Sequence, residues 1–250
     1  MKDEKEMISM NAPSYFKNYA PLLRTSALFH GLSREETEKA LDILGAEYGA
    51  YEKGAFLHRP YTEMKKFGLV LSGAVQACMD DVEGNRMIMA DVAPGVTFGE
   101  ALSLLKITDS PVYVCASEMA EVLWLSAEAL FGGSPDGLTL RLQKQFAAML
   151  SARTLAMNDR IQVLSKIKLR DKLLTYFTQL SQSQRAGTFL LPMNREDLAA
   201  YLGTNHSALS RELSNMKKEG LIDYRRNSVK LLKVESESAK CGVWRVECGV

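Results

Sequence analysis

Between Arg195 and Lys233 the chain carries eight Lys and Arg against five Asp and Glu, a net of +3 that suits contact with phosphate. Inside this stretch lies DLAAYLGTNHSALSRELSNMKKEGLI, residues 197 to 222. Leu198, Leu202, Leu209, Leu213 and Met216 supply the apolar faces of two short helices, and Ala199 is small where those helices must approach. Gly203, followed by Thr204 and Asn205, permits the tight turn between them. Asn194 and Asn205 stand where N-caps belong, so the second helix begins near His206 and offers His206, Ser207, Ser210 and Arg211 on its polar side. Arg195, at the start of the first helix, is a candidate phosphate contact. The next residues, GLIDYRRNSVKLLK, read as strand, turn at Asn227 and Ser228, strand. Helix, turn, helix and wing therefore occur in order.

Other chemistry is sparse. The three histidines, His30, His58 and His206, are scattered, and neither a Gly-rich phosphate loop nor a GxSxG nucleophile motif occurs. Cys78, Cys115, Cys241 and Cys248 form no CxxC or Cys/His cluster. Neither a metal site nor a disulfide framework is expected, and no catalytic constellation stands out.

The elements that must carry the hairpin change texture along the chain. Residues 14 to 50 hold Leu and Ala among acids at helical spacing, with a capping box at Ser33 and Glu36. From 51 to 131 come short β-rich runs separated by glycines at intervals of about ten residues, the pattern of an antiparallel barrel or jelly roll. DDVEGNR at 80 to 86 predicts a hairpin turn, since Gly84 and Asn85 tolerate positive φ. Leu138 to Leu180 has helical composition, and Leu142, Phe146, Leu150, Met157, Ile161 and Leu164 form one apolar stripe. A long helix with such a stripe is expected to pair with its copy in a homodimer.

Charge divides the chain. Residues 1 to 134 carry 12 Lys and Arg against 19 Asp and Glu, a net of −7, while 135 to 250 carry 19 against 11, a net of +8. One half is suited to a polyanion and the other to a different task. No apolar run approaches the roughly 20 residues of a spanning helix, and the N-terminus MKDEKEMISM is charged, so a cytoplasmic protein without membrane contact is expected.

Taken together, VLSGAVQ, EGNRMIMADVAPGVTFGEALSLL and REDLAAYLGTNHSALSRELSNMKKEGLI, in the order β-barrel, long helix, winged helix-turn-helix, resemble the cyclic-AMP receptor and fumarate-nitrate regulator (CRP/FNR) family of bacterial transcription factors. The resemblance spans residues 25 to 233. It implies an α+β chain: an effector-sensing, cyclic-nucleotide-binding-like β-barrel or jelly roll over 14–134, a dimerisation helix over 135–165, and a winged helix-turn-helix over 166–235. Its implied partners are double-stranded DNA with a near-palindromic operator, a second copy of the chain, and RNA polymerase. The family's base-reading positions fall on His206, Ser207 and Arg211, beside Arg195 and Asn205, and Arg211 matches the Arg that contacts guanine, whose fork suits O6 and N7.

The same likeness places an effector cassette at FGEALSLLKITDSPVYVCA. Gly99 and Glu100 match the family's ribose-binding pair. Ser110 and Pro111 stand where an Arg and a small polar residue would hold a phosphate, so a cyclic nucleotide is not expected. Tyr113 and Cys115, with Thr154, Met157 and Asn158 from the long helix, would form a mixed polar and apolar pocket for an uncharged or aromatic small molecule. No cofactor is required on this reading. The alternative within the family is redox sensing through a Cys78–Cys115 disulfide; an iron–sulfur cluster is not expected, and His30 and His58 are the available axial ligands for haem. Outside the family, the alternative is a dimeric interaction module that does not bind DNA.

Overall fold

The computed structural model describes residues 12–132 and 135–232. The chain falls into two compact units, one ending at Ser151 and the other beginning at Ala152. The tail holding Cys241 and Cys248, and the end of the wing from residue 233, lie outside the described residues.

The first unit opens with α1 (Ala12–Thr25) and α2 (Arg34–Ile43). The expected capping box is formed: Ser33 Oγ accepts from the Glu36 amide at 3.1 Å, and the Glu36 carboxylate accepts from the Ser33 amide at 2.8 Å. Eight strands follow, β1 (Glu47–Tyr51), β2 (Phe56–His58), β3 (Phe67–Ser72), β4 (Val75–Asp80), β5 (Arg86–Val92), β6 (Thr97–Phe98), β7 (Tyr113–Ala116) and β8 (Ala120–Leu125). They make two antiparallel four-stranded sheets, in the orders β1-β8-β3-β6 and β2-β7-β4-β5. Val70, Phe98, Val122 and Trp124 of the first sheet pack against Val75, Val92, Val114 and Ala116 of the second. This is a jelly roll whose sheets remain open, not a closed barrel.

The other face of the first sheet is also covered. Phe67, Leu69, Leu71, Leu123 and Leu125 bury against Leu23, Phe29, Leu41 and Leu44 and against α4 (Ala127–Phe131). Burial on both faces accounts for the unbroken apolar run FGLVL in β3. Short α3 (Glu100–Leu104) follows β6. In the β4–β5 turn, Gly84 has φ of +81°, but Asn85 keeps negative φ and instead donates its amide to Asp81 Oδ1 at 2.8 Å. That Asx-type bond completes the expected hairpin turn.

One helix, α5 (Gly137–Leu164), crosses from the first unit into the second. Its apolar stripe has two fates. Leu142 and Phe146 are buried in the first unit's core, Phe146 with ring contacts to Phe67 and Phe131. Met157 and Ile161 are 63% and 60% exposed. The stripe expected to seek one partner therefore has an intramolecular partner along its first turns. The reason is the outer face of β3 and β8, whose apolar cover Leu142 and Phe146 help to complete.

The second unit contains α6 (Leu169–Ser183), β9 (Thr188–Leu190), α7 (Arg195–Tyr201), α8 (His206–Lys218), β10 (Ile222–Arg225) and β11 (Ser228–Leu231). Val163 from α5, Leu173 and Phe177 from α6, Leu198 and Leu202 around α7, Leu209, Leu213 and Met216 from α8, and Ile222 and Val229 from the wing form its core. The wing is a three-stranded sheet in the order β10-β11-β9, with β9 an added strand that closes its far edge. Arg225 pairs with Ser228, so the turn is Arg226–Asn227 and not Asn227–Ser228. Val229 must point inward opposite Phe189, and that register fixes a two-residue loop. Among the described residues no helix is long and apolar enough to cross a membrane.

Candidate nucleic-acid interface and sensing site

The hairpin α7–α8 is built by its caps and its turn. Asn194 Oδ1 accepts from the Asp197 amide at 2.9 Å and Asn205 Oδ1 accepts from the Ala208 amide at 2.8 Å. Gly203 takes φ of +66° at the join, a conformation that would strain a residue with a Cβ. With Leu209, Leu213 and Met216 facing the core, His206, Ser207 and Arg211 are exposed on the opposite side of α8. Arg211 forms no hydrogen bond or ion pair with the described residues, so its five donors are available to an incoming group. Asn205 is engaged as the cap of this helix.

Arg195 has a different placement from the solvent-facing one its position suggests. Its guanidinium stacks 5.1 Å from the ring centroid of Tyr224, Nη2 donates to the Arg226 carbonyl at 2.9 Å, and Nη1 is buried with no hydrogen-bond partner among the described residues. Burial pushes its pKa below the usual arginine value. Lys217 covers the same ring at 5.0 Å and pairs with Asp223 at 2.7 Å. The exposed basic side chains at the wing tip are Arg225, the last residue of β10, and Arg226, the latter in the left-handed region at φ of 54°. The sequence reading did not single out either one, although adjacent arginines in a two-residue hairpin are a visible signal.

Arg170 was missed as well. At the start of α6 it holds Glu219 through both Nη atoms at 2.8 Å each and Glu212 through Nε at 2.7 Å. This fork fixes the middle and end of α8 against α6. Such a pairing has no short-range signature, since the partners lie 42 and 49 residues away.

In the first unit, Gly99 has φ of +78°, and a Cβ there would meet Met64 Sδ at 2.1 Å. Glu100, next to it at the head of α3, is buried. Ser110 sits before β7; its carbonyl accepts from the Tyr61 amide at 2.8 Å and its Oγ accepts from the Val112 amide at 3.2 Å. Pro111 contributes no amide donor. Tyr113 and Cys115 do not join Val114 and Ala116 in the jelly-roll interior. They cluster with Cys78 on the other face of the sheet, as strand alternation requires. Thr154, Met157 and Asn158 are exposed on α5 and belong to the second unit.

Cys78 and Cys115 are both free and buried. Burial, reinforced by the neighbouring Cys115 thiol, pushes the Cys78 pKa up to about 11. His58 is buried and its pKa is lowered by loss of solvent, which favours the neutral ring. His30 is exposed.

A two-sheet jelly roll followed by a helix and a winged helix-turn-helix defines a class of regulator that pairs a ligand-binding-type unit with a DNA-binding one. Residues 49–132 match the family described as the cyclic nucleotide-binding domain, and residues 171–236 match the Crp-like helix-turn-helix domain. The cyclic AMP receptor protein of Thermus thermophilus is 29% identical over 203 residues, covering 80% of this chain and 89% of that protein. The transcriptional regulatory protein btr of Bordetella pertussis is 25% identical over 208 residues, covering 81% of this chain and 84% of its own. Among solved structures, OCPA-complexed CprK shares the fold, with a TM-score of 0.55 and 16% identity over 80% of this chain and 92% of that one. The chain belongs to the CRP/FNR family. It is a DNA-binding transcriptional regulator that carries a cyclic-nucleotide-binding-like domain.

Proposed function

We propose that the protein acts in the cytoplasm as a homodimer, placing two copies of α8 in successive major grooves of a near-palindromic operator, under control of a small effector that is not a cyclic nucleotide. The observation that carries this reading is the outer face of α8: Arg211 stands exposed and unpaired among the described residues, on the same side as His206 and Ser207 and opposite the buried Leu209, Leu213 and Met216. On this reading Arg211 bonds a guanine through its fork, His206 and Ser207 meet neighbouring bases or phosphates, and Asn205 sets the start of the helix. Arg225 and Arg226 extend the phosphate contact from the wing, with Arg195 behind them. The exposed Met157 and Ile161 supply the contact between two copies. RNA polymerase is the downstream partner.

Gly99, Glu100 and Ser110 mark the effector end of the first unit; Tyr113 lies on the other face of its sheet, and Thr154, Met157 and Asn158 belong to the second unit. Neither Ser110 nor Pro111 offers a fixed cation to a phosphate, which argues against a cyclic nucleotide. A second reading, a thiol switch at Cys78 and Cys115, draws on the contact between the two thiols. The same burial holds Cys78 in its unreactive protonated form.

Selection of binding sites from random duplex tests the central reading. A recovered motif with two-fold symmetry and a conserved G in each half supports it. No enrichment at low salt would leave a dimeric interaction module as the better account.

A further inference from the structure

On the face of β7 turned away from the jelly-roll interior lies a cleft of about 540 Å³, within the size range of small-molecule sites. Its chemistry comes from Phe56, Arg59, Thr62, Asp80, Arg86 and Tyr113. Four of these side chains form a row. The Arg59 guanidinium lies 5.0 Å from the Phe56 ring centroid, Phe56 lies 5.5 Å from Tyr113, and the Arg86 guanidinium lies 5.6 Å from Tyr113. An aromatic floor thus has a cation at each end.

The cations are held without being neutralised. Arg86 donates Nε to the Tyr113 hydroxyl at 2.9 Å, and that hydroxyl donates to Asp80 Oδ1 at 2.7 Å. The chain of bonds orients Arg86 but leaves both its Nη donors unused among the described residues, and the Arg59 guanidinium makes no hydrogen bond among them. Two guanidinium groups against the Asp80 carboxylate give the lining a net charge of +1, which one monoanion balances. Phe56 is 43% exposed, so a flat ligand would cover apolar surface that now faces water. A carboxylate matches the planar Arg fork and an aromatic body matches the Phe56–Tyr113 floor.

We propose that this cleft binds a small aromatic monocarboxylate, its ring on Phe56 and Tyr113 and its carboxylate on Arg59 at one end of the row. The cleft is separate from the interior position marked by Gly99 and Glu100, neither of which lines it. The inference concerns the first unit alone and stands whether or not α8 reads DNA.

Calorimetric titration of the full chain with cinnamate, its neutral amide cinnamamide, and acetate tests the proposal. Cinnamate should bind, acetate should give no heat, and the amide should bind at least about tenfold more weakly because it cannot form the charged pair. Arg59→Gln should weaken cinnamate by about tenfold or more, and Arg86→Gln, at the other end of the row, should weaken it less. Arg59→Gln breaks no internal hydrogen bond of its guanidinium, so it keeps the test decisive even if Arg86→Gln unsettles the Tyr113–Asp80 chain. Chemical-shift changes on adding cinnamate should centre on Phe56, Arg59 and Tyr113. The proposal falls if acid and amide bind alike, if Arg59→Gln binds as the native chain does, if shifts centre on Gly99 and Glu100, or if no heat appears up to about 10 mM cinnamate.

Discussion

Arg195 Nη2 donates to the carbonyl oxygen of Arg226 across 31 residues of sequence, at 2.9 Å, tying the first helix of the hairpin to the tip of the wing. Arg226 is in the left-handed region, which costs a non-glycine residue of order 1 kcal/mol and needs outside support. Arg195 supplies that support, and on the proposed reading its contribution to DNA binding runs through Arg226. Arg226→Ala should flatten the dependence of log affinity on log salt by about one unit, and Arg195→Gln should lower affinity for all sequences. The double variant should be no worse than Arg226→Ala alone. An additive loss, with a second unit of slope, would mean that Arg195 reaches a phosphate of its own.

Arg211→Ala should leave the melting temperature unchanged, since the side chain is exposed and makes no hydrogen bond or ion pair among the described residues, and should cost about 1 to 3 kcal/mol of discrimination at one base pair per half-site. Site selection with the variant checks this. The native motif returned unaltered would remove α8 from the reading position.

Ile161→Glu and Met157→Glu each place a charge on the exposed half of the α5 stripe, where two copies would meet their own like charge. Light scattering should show a weakened or dissociated dimer while circular dichroism keeps its helical signal. A native monomer at micromolar concentration, or an unaltered dimer in both variants, would rule out this surface as the interface.

The Cys78 thiol has its folded pKa raised from 9.0 to about 11, chiefly by burial. The folded state therefore holds this proton more tightly than the unfolded state. The resulting stability is complete below about pH 9 and is lost as pH rises towards 11. Urea titrations across that window should show stability falling less steeply for Cys78→Ala than for the native chain. Alkylation of the folded protein at neutral pH should be slow; rapid modification of Cys78 there, or a ready Cys78–Cys115 disulfide in mild oxidant, would revive the thiol switch.

Cyclic AMP and cyclic GMP should produce no thermal shift up to about 1 mM, because a buried phosphate would find neither a fixed cation at Ser110 nor an amide donor at Pro111. Micromolar binding of either nucleotide would show that another basic group supplies the charge.

Local signals carried the reading of the second unit. Caps at Asn194 and Asn205, a glycine at the join and apolar residues at helical spacing all act within a few residues, and each is realised in α7 and α8. The wing turn came out one residue late, because register depends on Val229 opposite Phe189, a contact made 40 residues apart. β9, with three residues, is too short to show periodicity. The roles of Arg170 and Arg195 depend on long-range partners and left no pattern in their neighbours. In the first unit the strand runs were legible, but which face of β7 turned inward was not. YVCA is apolar throughout and buried on both faces, and only the packed sheets separate Tyr113 and Cys115 from Val114 and Ala116.

The division at Ser151 falls within a continuous helix, with Leu142 and Phe146 in one core and Val163 in the other. The two units are therefore poor candidates for exchange as cassettes at the ends of that helix. A recombinant fragment starting after residue 165 lacks Val163 and leaves a void in the second core, and one ending before 142 loses Leu142 and Phe146, and with them the ring contact of Phe146 with Phe67. A chimaera between this protein and a relative would keep both cores whole only if its crossover lay between Phe146 and Val163, in mid-helix, where no loop would conventionally suggest a boundary.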